Sequence, residues 1–300
     1  MFKQKYPGID IVKYLCAFLV IVIHTQPFIQ NIWLDRGVGI VTRVAVPFFF
    51  MATGFFLFDD SFDSGKLKRY MKHILILYAV WSLIYLPFVW PLEHIARAVL
   101  NTGISDHLWY IPALIFSVVL IFLLRKVLSN TAIVILSAFF LLAGIMLSTY
   151  KSVISEAMGG DGFLLKLLKA TGTRNGLFFG FFYVSLGMKV READRSRTSS
   201  FYAVLLFFGF CFLAIESYYA VLYLRSAETI MWVTCPIPVY ALFMLARGIE
   251  TRFDTGLLRK MSSFIFFSHY LWIYILRLMG VTEGAGMFLA VTAVCFFTSY

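Results

Sequence analysis

Three ionisable residues interrupt the first apolar run of the chain, DIVKYLCAFLVIVIHTQPF at residues 10–28. Asp10, Lys13 and His24 are spaced by 3 and 11 positions, so at about 100° per residue they share one helix face within roughly 60°. A charge at mid-membrane costs at least about 2.5 kcal/mol, so this face must contact protein or water. An ion pair at the membrane surface is the alternative for Asp10 and Lys13. His24 lies roughly 20 Å further along the helix and is a candidate base or ligand.

A second group of polar and aromatic residues is predicted to reach the same outer level of the membrane as His24, which makes a candidate pocket. Interface arginines, an aromatic belt and a solvated histidine are the alternative explanations for most of these residues. Glu216 is the exception, because an acid inside an apolar span needs a partner, for which Arg43, Arg174 and His24 are candidates. The group comprises Arg43, His107, Trp109, Tyr110, Arg174, Asn175 and Glu216.

A basic cluster precedes the third apolar run, in KLKRYMKHILILY. Two readings are open for it. Basic residues accumulate on the cytoplasmic side of membrane proteins, and clustered cations can also hold the phosphates of an anionic cofactor. The cluster includes Arg69 and Lys72, which are candidate residues for such a phosphate or for the inner end of a path shared with Asp10 and Lys13.

The elements that must position these residues are membrane helices. Of the 300 residues, 61% are hydrophobic and 14% are charged, and the mean hydropathy is +0.84. The predicted fold class is an all-α polytopic transmembrane bundle of about ten spans. The spans are residues 9–29, 38–58, 74–90, 108–124, 131–148, 175–190, 201–222, 229–246, 263–279 and 284–300.

The loops predict the orientation of the bundle. With the N-terminus inside, the inner segments hold more than twice as many Lys and Arg residues as the outer ones. Both termini are therefore predicted to be cytoplasmic, in the plasma membrane. The net charge of +10 is explained by these loops, so a nucleic-acid partner is not expected. The four cysteines lie in apolar runs without metal-ligand spacing, and no metal site is predicted.

Six segments together resemble the acyltransferase-3 family of integral membrane proteins, and the resemblance covers essentially the whole chain. Within that family the sequence is particularly similar to the membrane half of serine racemases of the vancomycin-resistance type (VanT type). Such proteins join an acyltransferase-3-like membrane domain to a cytoplasmic pyridoxal-phosphate racemase domain. The segments are GIDIVKYLCAFLVIVIHTQP, RVAVPFFFMATGFFLF, HLWYIPAL, TRNGLFFGFFYVSLG, AIESYY and SFIFFSHYLWIY.

The resemblance implies roles for individual residues. His24 matches the first-helix histidine that acts as the base in acylating members. Arg69 and Lys72 match a pair of basic residues that those members use for the acyl donor. Lys13 and Lys72 stand where the family usually has arginine, so planar bidentate recognition is lost at both positions.

Two functions follow from the resemblance. In the first, residues 1–300 form a membrane domain that binds L-serine, or another small polar molecule, and supplies it to a covalently linked racemase domain. Arg43 or Arg174 would then hold the carboxylate, Glu216 the ammonium, and His24 or Asn175 the hydroxyl. In the second, a coenzyme A thioester donates an acyl group to an extracellular hydroxyl, with His24 as catalytic base. A domain that only tethers the racemase domain in the bilayer is a third alternative.

The abrupt end of the last apolar run, without a basic flank, leads us to expect a cytoplasmic domain after Tyr300. Pyridoxal phosphate is expected in that domain, and no cofactor is expected in residues 1–300 unless the chain is an acyltransferase. A homodimer formed through the racemase domain is a further expectation.

Overall fold

A computed structural model describes residues 6–59, 61–88, 104–157, 172–192, 197–224 and 231–300. Across these residues the regular structure is helical and no strand occurs, which confirms the all-helical prediction for this part of the chain. A 3-10 turn, Leu86–Phe88, extends α4, and a π-helical segment, Gly176–Gly180, leads into α8. The α-helices are α1 Pro7–Thr25, α2 Ile32–Thr42, α3 Ala45–Leu57, α4 Ser64–Tyr85, α5 Tyr110–Leu124, α6 Asn130–Ser148, α7 Lys151–Ala157, α8 Phe181–Glu192, α9 Ser199–Tyr223, α10 Pro236–Arg247, α11 Gly256–Leu278 and α12 Ala285–Ser299.

Within the described ranges, six helical segments are long and apolar enough to cross a bilayer, so this is a multi-pass membrane protein. α5, α10 and α12 are apolar but shorter. The count of ten spans and their orientation stay predictions. The six segments are Pro7–Thr25, Ile32–Leu57, Ser64–Phe88, Asn130–Ser148, Ser199–Tyr223 and Gly256–Leu278.

α4 begins ten residues before the predicted start of its span at residue 74. Its N-cap is Asp63, whose carboxylate accepts a hydrogen bond of 2.5 Å from the backbone N–H of Lys66. The basic cluster therefore lies on the first turns of the helix, before the predicted membrane span. The last two residues of the predicted span, 89 and 90, lie outside the described residues.

α10 begins at Pro236, seven residues after the predicted start of its span at residue 229. Residues 229 and 230 lie outside the described part of the chain. The segment 231–235 is not helical, because the backbone N–H groups of Val233 and Thr234 donate to the side chain of Glu216. Proline at the first helical position then starts the helix. An N–H at that position would have no intrahelical acceptor, so proline loses no hydrogen bond there.

The chain divides into two compact units, and each is described by itself. Unit 1 comprises Met1–Phe49, Arg195–Cys211 and Ile237–Tyr300, and unit 2 comprises Phe50–Asp194 and Phe212–Pro236.

In unit 1, α1 packs against α11 and α12. The buried face of α1 carries Ile9, Ala17 and Ile21, all fully enclosed. A glycine permits the close approach of α10 to the start of α1, because a Cβ at Gly8 would lie 2.1 Å from the carbonyl oxygen of Ala246. These contacts hold both ends of α1, where Asp10 and His24 lie.

In unit 2, α5, α6, α8 and the π-helical segment pack together. α3 and α8 touch backbone to backbone at two glycines. A Cβ at Gly54 would lie 1.9 Å from the carbonyl oxygen of Val184, and a Cβ at Gly187 would lie 1.9 Å from that of Met51. Small residues are what permit such close contact between membrane helices.

Candidate functional site

The histidine cluster of unit 1 consists of His24, His269 and Tyr270. His24 lies in the last turn of α1 and is partly exposed. Its ring centroid is 4.9 Å from that of Tyr270, in an edge-to-face arrangement, and 5.3 Å from that of His269. His24 thus has a second imidazole and a phenol as direct neighbours.

His269 is fully buried in α11. Its Nδ1 atom is 2.8 Å from the carbonyl oxygen of Phe266 and 3.1 Å from that of Ile265. Sequence analysis did not select His269 or Tyr270. The only sequence signal was their place in the SFIFFSHYLWIY segment, because they lie about 245 residues from His24 along the chain.

Asp10 and Lys13 occupy the other end of α1. Asp10 is buried, and its Oδ2 accepts a hydrogen bond of 2.9 Å from the hydroxyl of Thr255. The Nε of Arg259 is 4.0 Å from Oδ1. The structure thus gives Asp10 partners from the start of α11, and the ion pair with Lys13 stays a prediction. Arg43 also belongs to unit 1, where it caps the C-terminus of α2 and is half-buried.

The aromatic cluster of unit 2 consists of Phe50, Trp109, Tyr110 and Phe179, all less than one-tenth exposed. Tyr110 is 4.5 Å from Phe50 between ring centroids, and Trp109 is 5.7 Å from Phe179. The guanidinium of Arg174 lies 4.9 Å from the ring centroid of Trp109, a cation–π contact. This contact holds Arg174 at the rim of the cluster, where its side chain stays partly exposed.

His107 and Asn175 lie on the two segments that flank the aromatic cluster. Nδ1 of His107 is 3.2 Å from the hydroxyl of Ser105, and its ring meets Tyr85 edge to face. The side-chain oxygen of Asn175 accepts the N–H groups of residues 177 and 178, and its amide donates to the carbonyl of Gly172. Asn175 therefore caps the π-helical segment, a form of helix often found at functional sites.

Glu216 is buried and its carboxylate accepts four hydrogen bonds. Oε1 accepts from the Tyr150 hydroxyl at 2.9 Å and from the Val233 N–H at 2.8 Å. Oε2 accepts from the N–H of Thr234 at 2.8 Å and from its hydroxyl at 2.5 Å. Burial and the hydrogen bond to Glu216 raise the pKa of the Tyr150 phenol, so it acts as a donor. The partners of Glu216 are thus neutral donors of its own unit, which take the place of the cationic partner expected from the sequence.

Thr53 joins two tyrosines in unit 2. The hydroxyl groups of Tyr70 on α4 and Tyr110 on α5 both interact with the side chain of Thr53 on α3. Arg69 and Lys72, on either side of Tyr70 in the sequence, are exposed. These three residues, Tyr70, Thr53 and Tyr110, are called the hydroxyl bridge below.

The candidate residues divide between the units. Asp10, Lys13, His24 and Arg43 lie in unit 1. Arg69 and Lys72 lie in unit 2. Apart from His24 and Arg43, the members of the predicted outer pocket also lie in unit 2, namely His107, Trp109, Tyr110, Arg174, Asn175 and Glu216. The structure brings Trp109 and Tyr110 together with Arg174, and it brings His24 to His269. A single pocket that unites both groups stays a prediction.

Comparison with known proteins agrees with the resemblance of the motifs. A family model described as an acyltransferase domain, acyltransferase-3, matches residues 6–300. The chain is 29% identical over 260 residues to a protein named serine/alanine racemase from Enterococcus gallinarum, covering 81% of this chain and 37% of that protein. Two proteins named amino-acid racemase from Enterococcus faecalis are 30% and 26% identical, covering 70% and 92% of this chain and 32% and 42% of theirs.

The chain thus spans roughly a third to two fifths of the length of these curated relatives. No solved structure gives a significant match. The family match runs across all the residues considered above, from the first helix to the last. The chain belongs to the acyltransferase-3 family and resembles the membrane domain of the serine and amino-acid racemases.

Proposed function

We propose that this chain is the membrane domain of a serine racemase of the vancomycin-resistance type, and that it binds L-serine and supplies it to a cytoplasmic racemase domain. One observation carries the proposal: the similarity to proteins named as serine/alanine and amino-acid racemases extends over 70–92% of the chain. Pyridoxal phosphate belongs to the proposed racemase domain. The proposed location is the plasma membrane, with both termini cytoplasmic.

Arg174 is the proposed ligand for the serine carboxylate. Its guanidinium lies over Trp109 in the cation–π contact and remains partly exposed at the rim of the aromatic cluster, and its planar fork suits bidentate recognition of a carboxylate. Glu216 and Asn175 support the site rather than touch the substrate, because their polar atoms are used on Tyr150, residues 231–235 and the π-helical segment.

Supply of serine to the cytoplasm requires a path, and the hydroxyl bridge is its proposed gate. Tyr110 begins a helix predicted to start at the outer side, whereas Tyr70 lies beside Arg69 and Lys72 at the predicted inner side. Both tyrosines interact with Thr53, and the aromatic cluster, of which Tyr110 is a member, is buried. In this proposal, a serine that leaves Arg174 inward passes only when these contacts open.

Uptake of labelled L-serine into right-side-out vesicles tests this function. The proposal predicts saturable uptake that falls at least about tenfold in Arg174→Gln, the loss expected when one charge-assisted contact is removed. Arg277→Gln is the matched control, because Arg277 forms an exposed ion pair with Glu283 in unit 1. Uptake no faster than in vesicles that lack the protein would contradict the proposal.

Acyl transfer is the second candidate, and the histidine cluster is the observation that favours it. His24 lies next to Tyr270 and His269, an environment that can orient an imidazole as general base for an acceptor hydroxyl. The base would take the hydroxyl proton while the oxygen attacks the thioester carbonyl and coenzyme A leaves as the thiol. Arg69 and Lys72 are the proposed contacts for the donor phosphates. Transfer or hydrolysis of acyl-coenzyme A by purified protein, lost in His24→Ala, would establish it, and absence of thioester turnover would remove it.

A further inference from the structure

One face of α4 is exposed from its first turns almost to its end. At about 100° per residue, the buried side chains of Leu67, Ile74 and Tyr85 lie within roughly 20° of one another around the helix axis. The exposed side chains between residues 68 and 83 lie on the opposite side, within an arc of roughly 160°. The first of them are basic, namely Lys68, Arg69, Lys72 and His73. Those that follow are apolar and include Leu75, Ile76, Val80 and Leu83, which are between 47% and 68% exposed.

The basic end of this face carries positive charge without a matching acid. We call Lys68, Arg69 and Lys72 the cationic patch. No described carboxylate forms an ion pair with any of these three side chains. The two described acids just before them in the chain are engaged elsewhere, because Asp59 pairs with Lys66 at 2.6 Å and Asp63 accepts the backbone N–H of Lys66. The cationic patch therefore suits an anion from outside the chain.

The spacing along α4 matches the dimensions of a phospholipid. At a rise of about 1.5 Å per residue, Lys72 and Leu83 are separated by about 16 Å along the helix axis. One leaflet contributes about 15 Å of hydrocarbon, half the thickness of the apolar layer. A lipid whose phosphate contacts the cationic patch can therefore lay an acyl chain along Ile76, Val80 and Leu83, which lie on the same face. Long basic side chains extend their charged ends toward headgroups in the same way.

From this arrangement we infer that the exposed face of α4 binds an anionic phospholipid. The cationic patch contacts the phosphate and the headgroup, and the apolar side chains beyond it contact an acyl chain. A zwitterionic lipid fits the same apolar surface, but the cationic patch repels the ammonium group of its headgroup. The inference is independent of serine supply. In the acyl-transfer candidate Arg69 and Lys72 hold coenzyme A instead, so competition between the two ligands distinguishes them.

Native mass spectrometry of the purified full chain tests the inference, with dioleoyl phosphatidylglycerol or dioleoyl phosphatidylcholine added to the detergent solution. One basic side chain near a membrane surface strengthens the binding of anionic lipid by roughly fivefold. With three such side chains, the wild type is expected to bind phosphatidylglycerol at least about tenfold more tightly than phosphatidylcholine. The triple variant Lys68→Gln, Arg69→Gln, Lys72→Gln should lose this preference.

A second triple variant, Arg197→Gln, Arg252→Gln, Lys260→Gln, is the matched control. It removes the same number of charges from exposed residues of unit 1, and it should keep the preference for phosphatidylglycerol. Dihexanoyl phosphatidylglycerol tests the apolar part of the face, because it has the same headgroup and much shorter acyl chains. It should bind more weakly than the dioleoyl form.

Equal binding of the two dioleoyl lipids by the wild type would overturn the inference, even if the triple variant of the cationic patch did not fold. Loss of the preference in the control variant would overturn it too, since net charge and not this face would then select the lipid. Displacement of dioleoyl phosphatidylglycerol by an equal concentration of coenzyme A or inorganic phosphate would assign the cationic patch to a soluble phosphate. A dimer that persists in excess lipid and is lost in the triple variant would assign the face to a second copy of the chain.

Discussion

Replacing Glu216 by glutamine should destabilise the protein strongly, because the carboxylate satisfies four donors at once. The amide of glutamine accepts at one oxygen only. In its better orientation the oxygen keeps the two donors of Thr234, and the Tyr150 hydroxyl can rotate to accept from the new NH₂ group. The backbone N–H of Val233 is then left without an acceptor.

The magnitude follows from these contacts. A buried N–H without an acceptor costs about 1–3 kcal/mol, and the surviving bonds lose the strength that a charged acceptor gives. The expected loss in the free energy of unfolding is therefore roughly 2–4 kcal/mol. Tyr150→Phe removes a single donor and should cost about 1 kcal/mol.

Equilibrium unfolding by SDS in mixed micelles measures this loss. Glu283→Gln is the matched control, because Glu283 pairs with Arg277 where both side chains are about two-fifths exposed, and such pairs contribute about 0–1 kcal/mol. If Glu216→Gln is no more destabilising than Glu283→Gln, Glu216 is not an internal anchor. A stable Glu216→Gln protein that has lost serine binding would instead make Glu216 a direct ligand.

Two further predictions concern packing and pH. Gly187→Ala places a Cβ 1.9 Å from a backbone oxygen of the facing helix and should cost at least about 3 kcal/mol in unfolding free energy. Gly37→Ala is the control, because a Cβ there meets no atom within 4 Å, and it should be neutral or stabilising by up to about 1 kcal/mol. Equal stability of the two variants would contradict the close α3–α8 contact. Burial raises the pKa of Asp59, but hydrogen bonds from Lys66 and Ser61 outweigh it and bring the pKa below the usual 3.8. Its stabilisation is therefore complete above about pH 5 and is lost as the pH falls, so the stability difference between wild type and Asp59→Asn should shrink from about pH 5 to about pH 3. A difference that grows would reverse this assignment.

The membrane helices could be predicted from the sequence because long apolar runs have few alternatives in a bilayer. Their ends could not, since hydrogen bonds to single side chains decide them. Asp63 starts α4 ten residues early, and Glu216 keeps residues 231–235 out of α10. Other Asp and Glu residues of the chain have the same side chains but do not set the end of a helix, so residue type alone could not single out Asp63 and Glu216.

In the candidate site, too, some features could be predicted from the sequence and others could not. Its residue type indicated that Glu216 needed a partner. However, its donors include the backbone N–H groups of Val233 and Thr234, 17 and 18 positions further along the chain, and every residue other than proline carries such a group. His24 stood out as a histidine in an apolar run, whereas its neighbour His269 comes from the far end of the chain. Pairing of this kind is set by tertiary packing and leaves no local pattern.

Calorimetric titration of the purified protein with L-serine, and separately with coenzyme A, tests the central claim most directly. We expect saturable heat with L-serine that is lost in Arg174→Gln and kept in Arg277→Gln, and no saturable heat with coenzyme A. Saturable binding of coenzyme A without binding of L-serine would contradict the claim and make this chain an acyltransferase in function as well as in family.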